Sequence, residues 1–321
     1  MESPYRWVIV AAGGLLGCVA IGAMFSLPVF LQPMAKETGW FETQRSLAVS
    51  LVSAGMGMAP MTMAPLAAWL ITNHDWRTSM LILAGVAAAL MIPAALLVRR
   101  PPALAHAEAQ GAAVPADAAP DMTVRQAVRS PQFIVLMLAN FFCCATHSGP
   151  IFHTVSYAVT CGIPMIAAVS IYSVEGLAGM GGRIAFGIMG DRLGAQRVLV
   201  AGLLAQAFAV VAYMFVSQLG AFYAVAIAVG FIYAGVMPLY AVIIRENFPL
   251  KMMGTMIGGT AMAGGLGMST GPLLGGLIYD RFDSYALLYA GSWGMGIAAF
   301  LIAMTFRPFP RREQEPALAA A

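Results

Sequence analysis

Long apolar runs separated by short polar turns dominate this chain. A run of about 20 apolar residues is long enough to cross a bilayer as a helix. The pattern predicts nine such spans, at 7–31, 46–71, 78–98, 133–159, 165–189, 198–216, 222–243, 252–278 and 285–306. The first residues lack the basic segment and cleavage site of a signal peptide, so the first span is expected to be retained. The predicted fold is therefore all-α, a polytopic helical bundle in a membrane.

The segment between the third and fourth spans, 99–131, has a different composition. It is rich in Ala and Pro and carries most of the mid-chain polar residues, which is typical of a linker. A short surface helix is predicted within it at 124–128. The expected organisation is an N-terminal bundle of three spans (1–98), this linker, a six-span bundle (132–306) and a tail (307–321).

Composition narrows the class further. The chain is 60% hydrophobic and only 10% charged, with a mean hydropathy of +0.81, far from a soluble domain. A net charge of +3 scattered over loops predicts no nucleic-acid partner, whereas the apolar spans predict contact with membrane lipid. The four cysteines form no CxxC pair and no disulfide framework. Cys143 and Cys144 are expected to act as small apolar residues within a helix.

The distribution of Lys and Arg predicts the orientation, because inner loops of membrane proteins carry an excess of both. If the C-terminus is cytoplasmic, thirteen of these residues fall on the inner side and three, Arg6, Arg77 and Arg281, on the outer side. The chain is thus predicted to be a multi-pass protein of the inner (plasma) membrane with a cytoplasmic linker and tail. An odd number of spans then places the N-terminus outside, which conflicts with Arg6.

Arg183 is the most informative single residue, because it lies inside an apolar span. An arginine at membrane depth costs about 2.5–3.5 kcal/mol on insertion scales, so it usually faces protein or water and has a function. Its permanently charged, planar guanidinium can bind a carboxylate with two hydrogen bonds. The sequence predicts that Arg183 binds a small organic anion. The alternatives are that it extends to the membrane edge or pairs with Asp191.

Two further polar residues are candidates for the same site. Glu175 lies two turns before Arg183, and either carries a coupling proton or pairs structurally with Arg183 or a tyrosine. His147, beside a Gly149-Pro150 break, is predicted to reach a central cavity. Its alternative is a hydrogen bond to a neighbouring helix. His153 is placed nearer the outer end and is given no role.

Other chemistry is not indicated. The sequence contains no HExxH pattern and no Gly-Lys-Ser/Thr phosphate loop, and the two histidines lack a third metal ligand at suitable spacing. We therefore expect no enzymatic activity, no catalytic residues, no cofactor and no metal. Glycines recur along the eighth predicted span, which indicates close helix packing. They are Gly254, Gly258, Gly267, Gly271 and Gly275.

The stretch Gly187-Ile-Met-Gly-Asp-Arg-Leu-Gly-Ala-Gln-Arg197 resembles the signature loop of the major facilitator superfamily, G-x-x-x-D-R-x-G-x-x-R. The wider chain resembles the branch of oxalate/formate antiporters and monocarboxylate porters, for example at Asp75-Trp-Arg77 and Arg245-Glu-Asn-Phe248. The resemblance implies secondary transport of a small carboxylate by alternating access, with Arg183 as the carboxylate contact. It also implies a gating role for five residues of the signature: Gly187, Asp191, Arg192, Gly194 and Arg197.

The chain departs from that family in two places. Members of that family look like bundles of twelve helices in two halves. In this chain the end of the first family helix runs directly into the start of the fifth near Gly39–Gln44, so helices two to four have no counterpart. Three explanations of the missing helices stay open: an internal deletion, an error in gene prediction and a shortened natural form. Many monocarboxylate porters also place an acid where this chain has Gly179. A different substrate class, such as a drug or inorganic anion, and a non-transporting remnant stay open, as do the coupling ion and oligomeric state.

Overall fold

The computed structural model describes residues 66, 69–70, 73–97 and 122–309. The predictions for the first span, most of the second span, the linker as far as residue 121 and the tail beyond residue 309 lie outside the described residues. The same holds for the junction near Gly39–Gln44.

Every regular element of the described part is helical, which confirms the predicted all-α class. Six of these helices, α3 to α8, are long and apolar enough to cross a membrane, α5 together with its 3-10 extension. In chain order the elements are α1 Trp76–Leu97, α2 Val124–Val128, α3 Pro131–Thr160, α4 Met165–Leu193, α5 Ala195–Val211 with a 3-10 turn Ala212–Phe215, α6 Leu219–Asn247, a 3-10 turn Leu250–Met252, α7 Met253–Phe282 and α8 Ala286–Met304.

The helix ends differ most from the prediction where the sequence turns polar. The fifth span was predicted to end at 189, but α4 continues to Leu193 and carries Asp191 and Arg192 in its last turn. Main-chain hydrogen bonds continue after a helix leaves the apolar layer, so hydropathy detects only the lipid-buried part. A single residue, Gly194, then reverses the chain into α5. Its φ of 91° lies in the region that favours glycine.

Side-chain caps explain where α2 and α3, the first helices after the linker, begin. The predicted surface helix at 124–128 is confirmed as α2, and Thr123 and Gln126 form a capping box at its start. Ser130 then caps α3: its hydroxyl accepts a hydrogen bond from the backbone N–H of Phe133 at 3.3 Å. Pro131 occupies the first turn, where its missing N–H has no helical partner to lose.

The six long helices alternate in direction, and the most extensive contacts join α4 to α6 and α3 to α7. Their buried apolar side chains form two clusters. The Phe248 cluster, which includes Phe133 and Leu239, lies at the end of the bundle that contains Gly194. The Tyr213 cluster, which includes Ile171 and Tyr289, lies toward the opposite end. The middle stretches of α3, α4 and α6 lie between them, which is where the charged residues of the spans occur.

Glycines bring α7 against α3, but only in the second half of α7. A Cβ at Gly267 would overlap the carbonyl oxygen of Phe141, and one at Gly271 would overlap the backbone of Ser148. Gly275 likewise lies against the ring of His153. The packing prediction is confirmed for these three glycines.

The structure does not test the prediction for Gly254 and Gly258, because among the described residues no atom lies within 4 Å of a Cβ at either position. The nine residues from Gly258 to Gly267 rotate an α-helix by about half a turn beyond two full turns, at 3.6 residues per turn. The two sets of glycines therefore lie on opposite faces of α7.

Cys143 and Cys144 are buried within α3, as predicted. The Cys143 thiol donates a hydrogen bond to the Gln206 side-chain oxygen at 3.2 Å, and the Gln206 amide donates to the Cys143 carbonyl at 2.9 Å. Asn140, one turn earlier, donates to the carbonyl of Thr260 in α7 at 2.7 Å. These bonds tie α3 to α5 and α7 between the Phe248 cluster and the middle of the bundle.

The packing of α3 on α7 generates a matched pair of substitutions. Gly267→Ala adds a methyl group where the α3 backbone leaves no space, and we expect it to destabilise the protein by about 1–3 kcal/mol. Gly258→Ala adds the same methyl group where no described atom lies within 4 Å, and we expect neutral or slightly higher stability because alanine favours helix. Thermal unfolding in detergent measures both. Equal melting temperatures for the two variants would contradict the packing described here.

Candidate functional site

A cavity of about 340 Å³ opens at mid-height between α3, α4 and α6. It lies between the Phe248 and Tyr213 clusters, where the three helices carry their polar residues. The residues around it are His147, Ile151, Phe152, Tyr172, Glu175, Gly176, Gly179, Arg183, Gly230, Tyr233 and Ala234. The three residues predicted from the sequence as substrate contacts, Arg183, Glu175 and His147, therefore surround one space.

Close packing of α4 on α6 fixes two of these side chains. A Cβ at Gly182 would overlap the carbonyl oxygen of Phe231, and one at Gly230 would overlap the backbone of Glu175. Glycine at both positions lets the two backbones approach closely, as small residues do between membrane helices. Glu175 and Arg183 are thereby placed on a helix whose position against α6 leaves little freedom.

Arg183 is buried, with only 5% of its surface exposed. Its side chain borders the cavity, and helical side chains point back toward the N-terminus of their helix, here toward Gly179 and Glu175. Burial against the cavity opposes the alternative in which Arg183 extends to the membrane edge. Asp191 is exposed two turns further along α4, beyond the cavity.

His147 connects α3 to α4 across the cavity wall. Its Nε2 lies 3.4 Å from Oε1 of Glu175, and both residues are buried. A hydrogen bond at this distance needs one proton between nitrogen and oxygen. His147 therefore borders the cavity, as predicted, and it also contacts a residue of a neighbouring helix, as the alternative stated.

Tyr233 of α6 holds the imidazole from the other side. The two rings stack with centroids 3.6 Å apart and planes inclined by 13°. The Tyr233 hydroxyl lies 3.9 Å from the thiol of Cys144 and 3.8 Å from the sulfur of Met268. The stack fixes the plane of the His147 ring and so the direction of its Nε2 toward Glu175.

Tyr172 closes another part of the wall, where its hydroxyl donates a hydrogen bond to the carbonyl of Ile151 in α3. Tyr172 and Tyr233 were not predicted from the sequence, nor were the apolar residues Ile151 and Phe152. Aromatic and aliphatic residues are common in every span, so composition carried no signal that separated these from lipid-facing neighbours. Only the packing of three helices reveals them.

The signature residues lie apart from the cavity. Asp191, Arg192, Gly194 and Arg197 are exposed at the Gly194 end, where α4 turns into α5. Gly187 is buried in α4, just before the exposed last residues of that helix. The structure therefore separates the two predicted groups, one around the cavity and one at the end of the bundle.

The cavity combines one guanidinium, one carboxyl group and one imidazole with apolar walls. A guanidinium in such surroundings favours an anion that can accept two of its hydrogen bonds, as a carboxylate does. The imidazole and carboxyl group can hold or release a proton beside that anion. These features define a multi-pass helical membrane protein with a charged cavity between its two apolar clusters.

The sequence profile of the Major Facilitator Superfamily matches residues 4–268 and 182–320. The chain therefore belongs to the Major Facilitator Superfamily. This confirms the family suggested by the signature stretch from Gly187 to Arg197.

Several relatives carry transporter names. The chain is 27% identical to Monocarboxylate transporter 13 of Bos taurus over 162 residues, which cover 50% of this chain and 36% of the relative. It is 26% identical to Monocarboxylate transporter 12 of Xenopus laevis over 171 residues, 48% of this chain and 37% of the relative. The chain thus spans just over a third of these relatives. It is 24% identical to the uncharacterized MFS-type transporter YcxA of Bacillus subtilis (strain 168) over 302 residues, 90% of this chain and 70% of the relative.

Proposed function

We propose that the cavity binds a small carboxylate through Arg183 and that the protein takes part in secondary transport of this anion, without enzymatic activity. The observation that carries the proposal is the burial of Arg183 beside a cavity large enough for a small organic molecule. The names of the relatives, two of them monocarboxylate transporters, support an anion of this class.

The physical basis is the cost of a charge in the apolar layer. Insertion scales give about 2.5–3.5 kcal/mol for an arginine at the centre of a membrane helix, so such a residue persists where it has a function. A bound carboxylate supplies both a counter-charge and two acceptors in the plane of the guanidinium. Apolar walls of Ile151, Phe152 and Ala234 suit the carbon skeleton of an organic acid better than a hydrated inorganic anion.

Alternating access would expose this cavity to one side of the membrane at a time. In this family the substrate lies at the interface of two repeats, which rock against each other. The exposed Asp191, Arg192 and Arg197, with the Gly194 reversal and buried Gly187, would form the gating contacts at the inner end. The six-span unit 132–306 supplies the cavity described here, and 1–98 would supply part of the opposing wall.

The predicted loss of three spans from the opposing half favours a second candidate, a remnant that binds the anion but transports it poorly. Proteoliposome counterflow of a radiolabelled carboxylate separates the two candidates. Saturable exchange supports the transporter, and binding without exchange supports the remnant.

Binding is tested by ligand-induced thermal stabilisation of the purified chain with formate, oxalate, lactate and pyruvate. We expect Arg183→Gln to weaken binding at least about tenfold, because a hydrogen bond to a charged group contributes roughly 1.5–3 kcal/mol. Arg183→Lys should retain part of the affinity, since lysine keeps the charge but loses the planar fork. Arg125→Gln, at an exposed position of α2, is the matched control and should bind like the parent. Equal stabilisation of all four proteins would remove Arg183 from the site.

The proposed orientation places the linker and the tail in the cytoplasm. Single cysteines at Ala112 and Ala319 should react with an impermeant reagent only after cells are permeabilised. A cysteine at Ser284, exposed between α7 and α8 at the opposite end of the bundle, should react in intact cells. Cys161 is partly exposed near that same end and is replaced by serine in all three proteins. Labelling of the linker or tail in intact cells would reverse the orientation.

A further inference from the structure

One face of α4 forms an elongated wall of the cavity. Tyr172, Gly176, Gly179 and Arg183 recur every three or four residues, so they lie on the same side of the helix, and all four border the cavity. The two middle positions are glycines and carry no side chain. The helical rise of about 1.5 Å per residue places Tyr172 and Gly179 about 10 Å apart along the axis. The cavity therefore extends along α4 with bare backbone as one wall.

A carboxylate bound to Arg183 would occupy one end of this wall. Helical side chains point toward the N-terminus of their helix, so the guanidinium is directed toward Gly179. Carbon–carbon bonds of about 1.5 Å make a three-carbon acid such as pyruvate only about half as long as the distance from Gly179 to Tyr172. The part of the cavity beside Gly176 and Tyr172 is then left for water or for a longer part of the substrate.

The side chains around that part are aromatic or aliphatic. The Tyr172 hydroxyl donates a hydrogen bond to the carbonyl of Ile151, which places Tyr172 at the level of Ile151 and Phe152 on α3. Phe152 borders the cavity, yet 52% of its surface is exposed. A ring in this position offers its face or edge to another aromatic group. Displacing water from such surfaces favours an apolar ligand.

The other polar groups of the cavity are directed at each other. His147 Nε2 lies 3.4 Å from Glu175 Oε1, and the imidazole stacks on Tyr233. Among the described residues that border the cavity, Arg183 is the one Lys or Arg. A dicarboxylate would therefore place its second charge in apolar surroundings without a second such cation, which is costly. A ligand with one charge and an apolar remainder fits these walls better.

We propose that the site prefers a monocarboxylate with an aromatic tail, whose carboxylate binds Arg183 and whose ring lies along Gly176 between Phe152 and Tyr172. The inference rests on the proposed anion site and adds the substrate class to it. The class is that of short-chain acids with an aryl substituent, and 3-phenylpropionate is a simple probe. Gly176 determines the specificity, because a large side chain there would occupy the position of the ring.

The experiment titrates the purified full chain with propionate and 3-phenylpropionate, which differ only by the phenyl group. We expect 3-phenylpropionate to bind roughly tenfold tighter or more, because the ring is buried against apolar walls. Succinate carries a second carboxylate in place of the ring and should bind more weakly than propionate. The alcohol 3-phenylpropan-1-ol lacks the carboxylate and should not bind, which controls for uptake of the ring by detergent.

Variants test the position of the ring through the ratio of the two affinities. Gly176→Leu should bind propionate like the parent and lose the preference for 3-phenylpropionate. Phe152→Ala should keep its affinity for propionate and lose several-fold of the preference, since one aromatic wall is removed. Leu177→Ala, at an exposed position on another face of α4, is the control and should show the ratio of the parent.

The outcomes separate this inference from the proposed anion site. Equal affinities of the parent for propionate and 3-phenylpropionate would overturn the substrate class and leave the anion site intact. A parent-like ratio in both Gly176→Leu and Phe152→Ala would also overturn it. If Gly176→Leu binds neither acid, the ratio in Phe152→Ala decides in the same way. If Arg183→Gln binds both acids as tightly as the parent, the anion site itself is wrong.

Discussion

The burial of one guanidinium in an apolar bundle is the constraint on which the rest of this structure depends. Arg183 cannot lie against lipid without a large free-energy cost, so the surrounding helices must provide polar partners and space at its depth. The bundle does so by dividing its apolar core into two clusters, one at each end, and placing the cavity between them. The apolar clusters and the cavity thus occupy different levels of the same helices.

Close packing between helix pairs fixes the positions of the residues that border the cavity. Gly182 and Gly230 set the position of α4 on α6, and Gly267 and Gly271 set that of α3 on α7. The His147–Tyr233 stack and the His147–Glu175 contact then join α3, α4 and α6 around the cavity. Because His147 lies on α3 and Glu175 on α4, a shift of either helix would change the distance between imidazole and carboxyl group.

Much of this fold was predictable, because hydropathy alone located every span in the described part of the chain, although it ended α4, α6 and α7 four residues early each. The charged residues that border the cavity were predictable as well, since Arg183 and Glu175 are rare residue types inside spans. Tyr172 and Tyr233 were not, because aromatic residues occur throughout the bundle. The two faces of α7 were also missed, since recurrence of glycine does not show which glycines share a face. Helix packing supplied that information.

The most direct test of the anion site is crystallographic, with a bromine-labelled carboxylate bound to the full chain. Anomalous scattering from bromine locates the ligand independently of any assumption about its pose. We predict a bromine peak within the cavity bordered by His147, Glu175 and Arg183, and loss of that peak in Arg183→Gln. A peak elsewhere in the bundle, or a cavity peak that persists without the arginine, would contradict the claim that Arg183 binds the substrate.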